Sequence, residues 1–206
     1  KYTEQAQPMF DDMGNRSGSA RCLSNLGNSH SAVGCFEQGL DCHERSLVLY
    51  QQLEDVNSCA DSRSNMGNAY HALGVGGYPE LSITMHDSND SLRQAISCHA
   101  EALRLRRQIG AQSGEAVSLF SMGSVHLAIG DIKQAESYLN MADTISRELG
   151  LTRLSMRSVS ALARARLMSG DIDSAIENSE RVVEWLGDQE LPDADEMRFA
   201  HFRVLS

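Results

Sequence analysis

Apolar residues recur along the chain with the spacing of a helix face, and only three prolines interrupt 206 residues. The chain is rich in Ala, Leu, Ser and Arg and poor in aromatic residues, which favours helices over strands. The pattern predicts an all-α fold of consecutive helices that share a core. The apolar positions expected in that core include Leu26, Phe36, Leu47, Leu49, Ile132, Leu139, Ile145, Leu162, Ile172 and Trp185.

The sequence also repeats itself with a period of 40 residues. Related tripeptides occur at Leu26-Gly27-Asn28, Met66-Gly67-Asn68 and Met122-Gly123-Ser124. A second set of glycines recurs at Gly34, Gly74, Gly130 and Gly170, with intervals of 40, 56 and 40 residues. The longer interval predicts one insertion of 16 residues, which we place at 75–90, in the turn within the second unit. Each unit is predicted to be a pair of helices.

A small residue marks the centre of the first helix in every unit. These residues are Gly27, Gly67, Gly123 and Ala163. Glycine inside a helix costs about 1 kcal/mol relative to alanine, so its recurrence predicts a close approach of the second helix there.

The helix ends carry capping signals. The turn glycines at positions 34, 74, 130 and 170 suit a left-handed residue that ends the first helix. Asp131 and Asp171 are predicted to cap the second helix, and Ser88-Asn89-Asp90 to cap a helix that starts at Ser91.

These observations predict a single solenoid over residues 1–206. The tail of a preceding repeat occupies 1–16, repeats occupy 17–56, 57–112, 113–152 and 153–191, and 192–206 form the first helix of a further repeat. Because the chain begins at Lys1 rather than Met and both ends look like half-repeats, we expect a fragment of a longer array.

The order of residues within each unit resembles the tetratricopeptide repeat: a small residue, then an aromatic residue or His three positions later (His30, Tyr70 and His126), then Gly, then Gly39 or an Ala. The 40-residue period resembles, within that family, the LGN/Pins group of cell-polarity adaptors. So do Asn25-Leu26-Gly27-Asn28, Asn65-Met66-Gly67-Asn68-Ala69-Tyr70 and Cys42-His43-Glu44-Arg45-Ser46-Leu47. Rapsyn-like and kinesin-light-chain-like arrays have similarly long repeats.

The resemblance implies a right-handed superhelical solenoid of antiparallel helix pairs whose first helices line a concave groove. It implies a non-catalytic scaffold or adaptor that binds a peptide segment of a partner there. For an LGN/Pins-like protein, the implied setting is the cytoplasm and cell cortex, in cell polarity and mitotic spindle orientation, with partners similar to NuMA or Inscuteable. Two alternatives are a receptor-clustering or cargo adaptor of the rapsyn or kinesin-light-chain kind, and the regulatory or substrate-docking domain of a larger enzyme.

The groove positions implied by the resemblance define the candidate peptide-binding residues. They are Arg21, Asn25, Asn28, Asn65, Asn68, His71, Phe120, Ser124, Arg157 and Arg164. Asn side chains both donate and accept, so they can bond the main chain of an extended peptide. Arg157 and Arg164 lie two helical turns apart and can clamp carboxylates or phosphates.

Less specific explanations stand beside these roles. Asn25 and Asn65 could bond neighbouring backbone, and the two arginines could pair with Glu180 or Glu184.

The charge and the cysteine content restrict the classes of function that fit the sequence. A net charge of −10 argues against general binding to nucleic acid or anionic membranes, and no apolar run reaches the length of a membrane span. Five cysteines without a CxxC motif indicate a reducing, intracellular setting. Cys42-His43 and Cys98-His99 occupy equivalent positions and are predicted to pack rather than bind metal. No catalytic motif is visible, so we expect no enzyme activity, metal or cofactor.

Overall fold

The computed structural model describes residues 10, 13–76, 88–187, 197 and 204. The regular structure of these residues is entirely helical, and it falls into two compact units: unit 1 at residues 1–111 and unit 2 at residues 112–206. Unit 1 contains α1 (Arg16–Ala32), α2 (Phe36–Gln52), α3 (Val56–Gly74) and α4 (Ser88–Gln108). Unit 2 contains α5 (Gln112–Ile129), α6 (Ile132–Glu148), α7 (Thr152–Ser169) and α8 (Ile172–Leu186).

Within each unit, helices that follow one another pack together, and most are joined by turns of two or three residues. Such short connections make neighbouring helices antiparallel. The predicted all-α fold of helix pairs is therefore confirmed. The repeat boundaries remain a prediction.

The first helices of the hairpins lie on the inner side of each unit. In unit 1, α1 also contacts α3, and in unit 2, α5 also contacts α7. The second helices, α2 with α4 and α6 with α8, make no such contact among the described residues. We call the solvent-facing side of the first helices the inner face of each unit.

The small residues at the helix centres admit a side chain of the second helix. A Cβ atom added to three of these glycines would lie 2.6 Å from a ring or branch carbon of that side chain, a distance that real Cβ atoms do not tolerate. The pairs are Gly27 with His43, Gly67 with His99, and Gly123 with Leu139. In the fourth hairpin the equivalent residues are Ala163 and Ser179, both buried. The predicted close approach is confirmed. Where the central residue is Ala163, which has a Cβ atom, the opposing residue is the smaller Ser179.

The helix ends confirm most of the capping predictions. The Asp131 and Asp171 carboxylates accept hydrogen bonds of 3.3 Å from the backbone N–H of Gln134 and Ser174. Three of the turn glycines are left-handed, with φ between +82° and +86°. They are Gly34, Gly130 and Gly170.

The second repeat departs from this scheme. Gly74 is the last residue of α3, not a left-handed cap, and an added Cβ would lie 2.6 Å from Leu92 Cγ. The left-handed residue is Gly76, with φ +73°. The prediction for Gly74 was wrong because α3 continues further than its counterparts where the connection is longer.

The start of α4 also differs from the sequence prediction. Ser88, Asn89 and Asp90 form the first turn of the helix instead of capping one that starts at Ser91. Asp90 pairs with Arg93 at 2.8 Å, and its negative charge near the helix N-terminus is favourable. The last three residues of the predicted insertion are thus helical, and 77–87, with the apolar alternation at Tyr78, Leu81, Ile83 and Met85, lie outside the described residues.

Ile172, expected in the core, is 44% exposed at the first position of α8. Most of the predicted half-repeats at 1–16 and 192–206 also lie outside the described residues.

Candidate functional site

Four asparagine amides are available on the inner face of unit 1. Asn25 and Asn28 lie on α1 and are exposed, whereas on α3 Asn68 is exposed and Asn65 is partly exposed. None of these four side chains forms a hydrogen bond within the described parts of the chain, so the backbone bonds considered for Asn25 and Asn65 do not form. Because an amide that has no internal partner keeps its donors and acceptor for another molecule, this face can bond a main chain.

Arg21 and His71 lie on either side of these amides in the chain. Arg21 is exposed and, with Asn25 and Phe10, lines a small cleft of about 230 Å³ at the N-terminal end of α1. His71 is partly exposed near the end of α3, close enough to His99 for its charge to help lower the pKa of that buried ring. These two residues extend the polar surface toward both ends of the first helices.

An ion pair ties the inner helix α3 to α4. Asp61 Oδ1 accepts a hydrogen bond of 2.9 Å from Arg106 Nη2, and Arg106 is almost fully buried while Asp61 remains half exposed. Asp61 occupies the same repeat position as Arg21, so one part of the inner face is occupied by an internal contact.

The inner face of unit 2 has a different chemistry. The guanidinium of Arg157, on α7, lies 4.6 Å above the centre of the Phe120 ring on α5, a cation–π contact between the two inner helices. Arg164 is exposed and makes no ion pair among the described residues, so the pairing considered with Glu180 or Glu184 does not form for this side chain. Ser124 donates to the Phe120 carbonyl at 3.0 Å, which leaves its oxygen only as an acceptor.

A larger cleft lies in unit 2, between the N-terminal turns of α5 and α7. Its volume is about 660 Å³. Ser113, Gly114 and Val117 line it from α5. On the other side it is lined by Leu151, Thr152, Arg153, Leu154 and Arg157.

Of these lining residues, Arg157 is a predicted site residue, and Val117 lies at the equivalent groove position of the preceding repeat. The other six residues lie three to six positions before these two in the sequence.

Charge is distributed unevenly between inner and outer helices. The inner helix α7 carries four arginines and no acidic residue, and α1 carries two arginines and none. The outer helix α8 carries four acidic residues and one arginine. Part of the inner face is therefore cationic although the chain as a whole has a net charge of −10.

The Cys-His pairs lie in the core. His43 and His99 are fully buried, and burial is the largest cause that lowers the pKa of His43 to about 4 and that of His99 to about 3. Burial also raises the pKa of the Cys42 and Cys98 thiols, which keeps them protonated at neutral pH. Within the described ranges, no three His, Cys, Asp or Glu side chains are arranged to hold a metal ion.

Consecutive helix hairpins with small residues at their centres define the class of helical-repeat proteins. No protein-family model matches the sequence, and no curated protein matches it. Solved structures do match. The chain is similar to BtubC (BKLC) from P. vanneervenii, with TM-score 0.74 and 15% identity over 98% of this chain and 78% of that one.

Two further structures agree with this match. A putative kinesin light chain with nearly identical TPR-like repeats from Podosopora anserina has TM-score 0.64 and 15% identity, over 89% of this chain and 84% of that one. A thermophilic TPR protein of Thermus thermophilus has TM-score 0.50 and 19% identity, over 90% of this chain and 98% of that one. The fold is that of a tetratricopeptide-repeat array.

Among the described residues, no helix combines the length and apolar character needed to cross a membrane.

Proposed function

We propose that the chain is a non-catalytic interaction scaffold that binds a peptide segment of a partner protein on its inner faces. The observation that carries the proposal is the set of four asparagine amides on α1 and α3, which are accessible and have no hydrogen bonds to the described residues. Amides in this state offer both donors and an acceptor to the main chain of a peptide.

The two inner faces suit different parts of such a segment. In unit 1 the amides of Asn25, Asn28, Asn65 and Asn68 bond main-chain N–H and C=O groups, which gives affinity without selecting a sequence. In unit 2 the arginines of α7 attract acidic side chains, with Arg164 free to form forked hydrogen bonds to a carboxylate. The candidate residues therefore divide into a group that holds the backbone and a group that selects for charge.

A narrower proposal follows from the sequence motifs that contain Asn25 and Asn65. Their similarity to LGN/Pins adaptors supports a role in cell polarity and spindle orientation, in the cytoplasm and at the cell cortex, with a partner similar to NuMA or Inscuteable. The support for this setting is the sequence resemblance alone.

A cargo adaptor is the second candidate. Two of the similar structures are named as a kinesin light chain or as BKLC. Sequence identities of 15% show a shared fold, so the partner decides between the two candidates.

The test is a pull-down from cell lysate with identification by mass spectrometry. Wild type is compared with a fivefold variant in which Asn25, Asn28, Asn65, Asn68 and Arg164 are changed to Ala. A matched control changes five exposed polar residues of the outer helices: Gln38, Gln51, Gln94, Asn140 and Arg181. We expect a partner that wild type and control retain and the groove variant loses. Equal retention by all three proteins, each with an unchanged thermal melt, would refute the inner faces as the binding surface.

A further inference from the structure

We infer that Glu54, in the turn between α2 and α3, is a contact residue for a partner segment that carries a Lys or Arg beside a large apolar side chain. This turn lies outside the candidate groove positions, so the inference goes beyond the proposed function. We call Leu53, Glu54 and Asp55 the Glu54 turn.

The backbone of Glu54 adopts a conformation that side chains rarely take. Its φ angle is +54°, and among the described residues no other non-glycine residue has a positive φ. At the equivalent turns, Gly14, Gly110 and Gly150 have φ values of +65°, +67° and +69°. Because a Cβ atom destabilises the left-handed conformation, folding favours glycine at this position. Residues held in such strained conformations cluster at functional sites.

No contact inside the described structure accounts for the Glu54 side chain. The side chain is exposed and forms no hydrogen bond or ion pair with the described residues. An added Cβ atom at Gly110 or Gly150 would meet no atom within 4 Å, so this position of the turn faces open space. The hydrogen bonds that close the turn use only the backbone N–H and C=O of Glu54. The strained position therefore presents a carboxylate that remains available to another molecule.

The charge near Glu54 in the sequence suits a basic group. Positions 46–62 contain three acidic residues and no Lys or Arg. Asp55 uses its carboxylate to cap α3, with hydrogen bonds of 3.0 and 2.7 Å from Ser58, so Glu54 is the carboxylate of the turn that is left for a partner. The net charge of −10 attracts a basic partner at long range and repels a second copy of this chain.

An exposed apolar side chain lies next to this carboxylate. Leu53 directly precedes Glu54 and is 41% exposed. Met13, before α1, is also exposed and lies at the same end of unit 1, since α1 and α2 are antiparallel. An exposed ion pair alone contributes little free energy, whereas an apolar side chain that covers Leu53 adds the free energy of burial. The Glu54 turn therefore suits a segment in which a basic and an apolar residue are close together.

The inference is tested with a phage-displayed library of random peptides of about 12 residues, which span about 40 Å when extended. The library is first depleted on Glu54→Gly and then selected on wild type. We expect the enriched peptides to carry Lys or Arg close to Leu, Ile, Met or Phe. The affinity of the best peptide, measured by fluorescence anisotropy, should fall at least about threefold for both Glu54→Gly and Glu54→Gln. The control Glu177→Gln removes one carboxylate from the exposed surface of α8 and should bind as wild type does.

A second measurement tests the strain. Glu54→Gly should raise the midpoint of urea unfolding, because glycine adopts the left-handed conformation without strain. The reciprocal change Gly150→Glu should lower the midpoint, since it introduces the same strain in open space. Glu54→Gln keeps the strain and should leave the midpoint unchanged. A lower midpoint for Glu54→Gly would show that the side chain stabilises the fold, and an unchanged midpoint for Gly150→Glu would remove the strain argument; either result would overturn the inference.

The binding outcomes separate this inference from the proposed function. A peptide that loses affinity for Glu54→Gln but binds the variant with all four asparagines changed to Ala supports the Glu54 contact by itself. If no peptide survives depletion on Glu54→Gly, or the survivors show no preference for Lys or Arg, the inference fails. Peptides selected without depletion that need the four asparagines and bind Glu54→Gly normally would leave the scaffold proposal standing without the Glu54 contact.

Discussion

Unit 1 contains two buried histidines that should make it sensitive to acid. His43 and His99 are completely buried over Gly27 and Gly67, and within the described structure their ring nitrogens have no hydrogen-bond partner. Such a site has no group that could stabilise an imidazolium ion. Burial lowers the pKa of His43 from 6.5 to about 4. The pKa of His99 falls to about 3 through burial and the positive charges of His71 and Arg106.

The sign and size of the effect follow from these values. Between pH 6.5 and the folded-state pKa, the unfolded chain binds a proton at each of these histidines and the folded chain does not, so stability falls as the pH falls. Each unit of pH below 6.5 costs about 1.4 kcal/mol per histidine. At pH 5 the loss is therefore about 2 kcal/mol for each ring and about 4 kcal/mol for both.

The matched replacement for either histidine is leucine. Leu139 occupies the equivalent position over Gly123 in unit 2, so the fold already accommodates that side chain. We expect wild type to lose about 4 kcal/mol more than the double variant His43→Leu plus His99→Leu between pH 7 and pH 5. The measurement is urea unfolding at both pH values, with amide hydrogen exchange to assign the loss to α1–α4. The carboxylates and the other histidines are the same in both proteins, so their contributions cancel.

The reciprocal change tests the same reasoning in unit 2. Leu139→His would place a histidine ring over Gly123, as His43 is placed over Gly27. The variant should therefore lose about 2 kcal/mol of unfolding free energy at pH 5, and the loss should appear in α5–α8. Equal pH dependence of wild type and the double leucine variant, or a Leu139→His variant without new acid sensitivity, would refute the account.

Three further changes test packing, capping and the cation–π contact. Gly67→Leu should cost about 1–3 kcal/mol or more, because its Cβ would meet the ring of His99; an unchanged thermal melt would contradict the helix register. Asp171→Ala should lower the midpoint of urea unfolding through the lost N-cap of α8, and an unchanged midpoint would show that water replaces the cap. Phe120→Leu keeps the apolar bulk but removes the ring below Arg157, so it should cost about 0.5–1 kcal/mol in urea unfolding. Unchanged unfolding would exclude a role for the stack in stability.

The sequence predicted the packing between paired helices well because that packing repeats. A glycine at the centre of a helix is locally unfavourable, so its recurrence at Gly27, Gly67 and Gly123 had to reflect a neighbour. The identity of that neighbour could be read only in part. The equivalence of His43 and His99 indicated packing, but the contact of each ring with a glycine required the structure.

Prediction was weaker where the repeat changes locally. Gly74 matched its counterparts by position, yet α3 continues through it because the following connection is longer. Ser88 and Asp90 looked like a cap because such residues favour turns, although they are equally compatible with the first turn of a helix.

The cleft between the N-terminal turns of α5 and α7 escaped prediction for a related reason. Its walls come from the first turns of α5 and α7, which are adjacent in space and 40 residues apart in sequence. The groove positions implied by the resemblance begin one turn later, so Arg153 and Leu154 fell outside them.

The distribution of charge matters more for function than its sum. A net charge of −10 argues against polyanions at long range, because a binding partner first meets the field of the whole chain. At contact distance the nearest groups dominate, since salt screens exposed charges beyond about 10 Å. The α7 helix carries four arginines and no carboxylate, while the acidic residues of α8 lie on the outer helix of the hairpin. Under the proposed function, an acidic peptide therefore meets a more favourable local field at the inner helix α7 than at the outer helix α8.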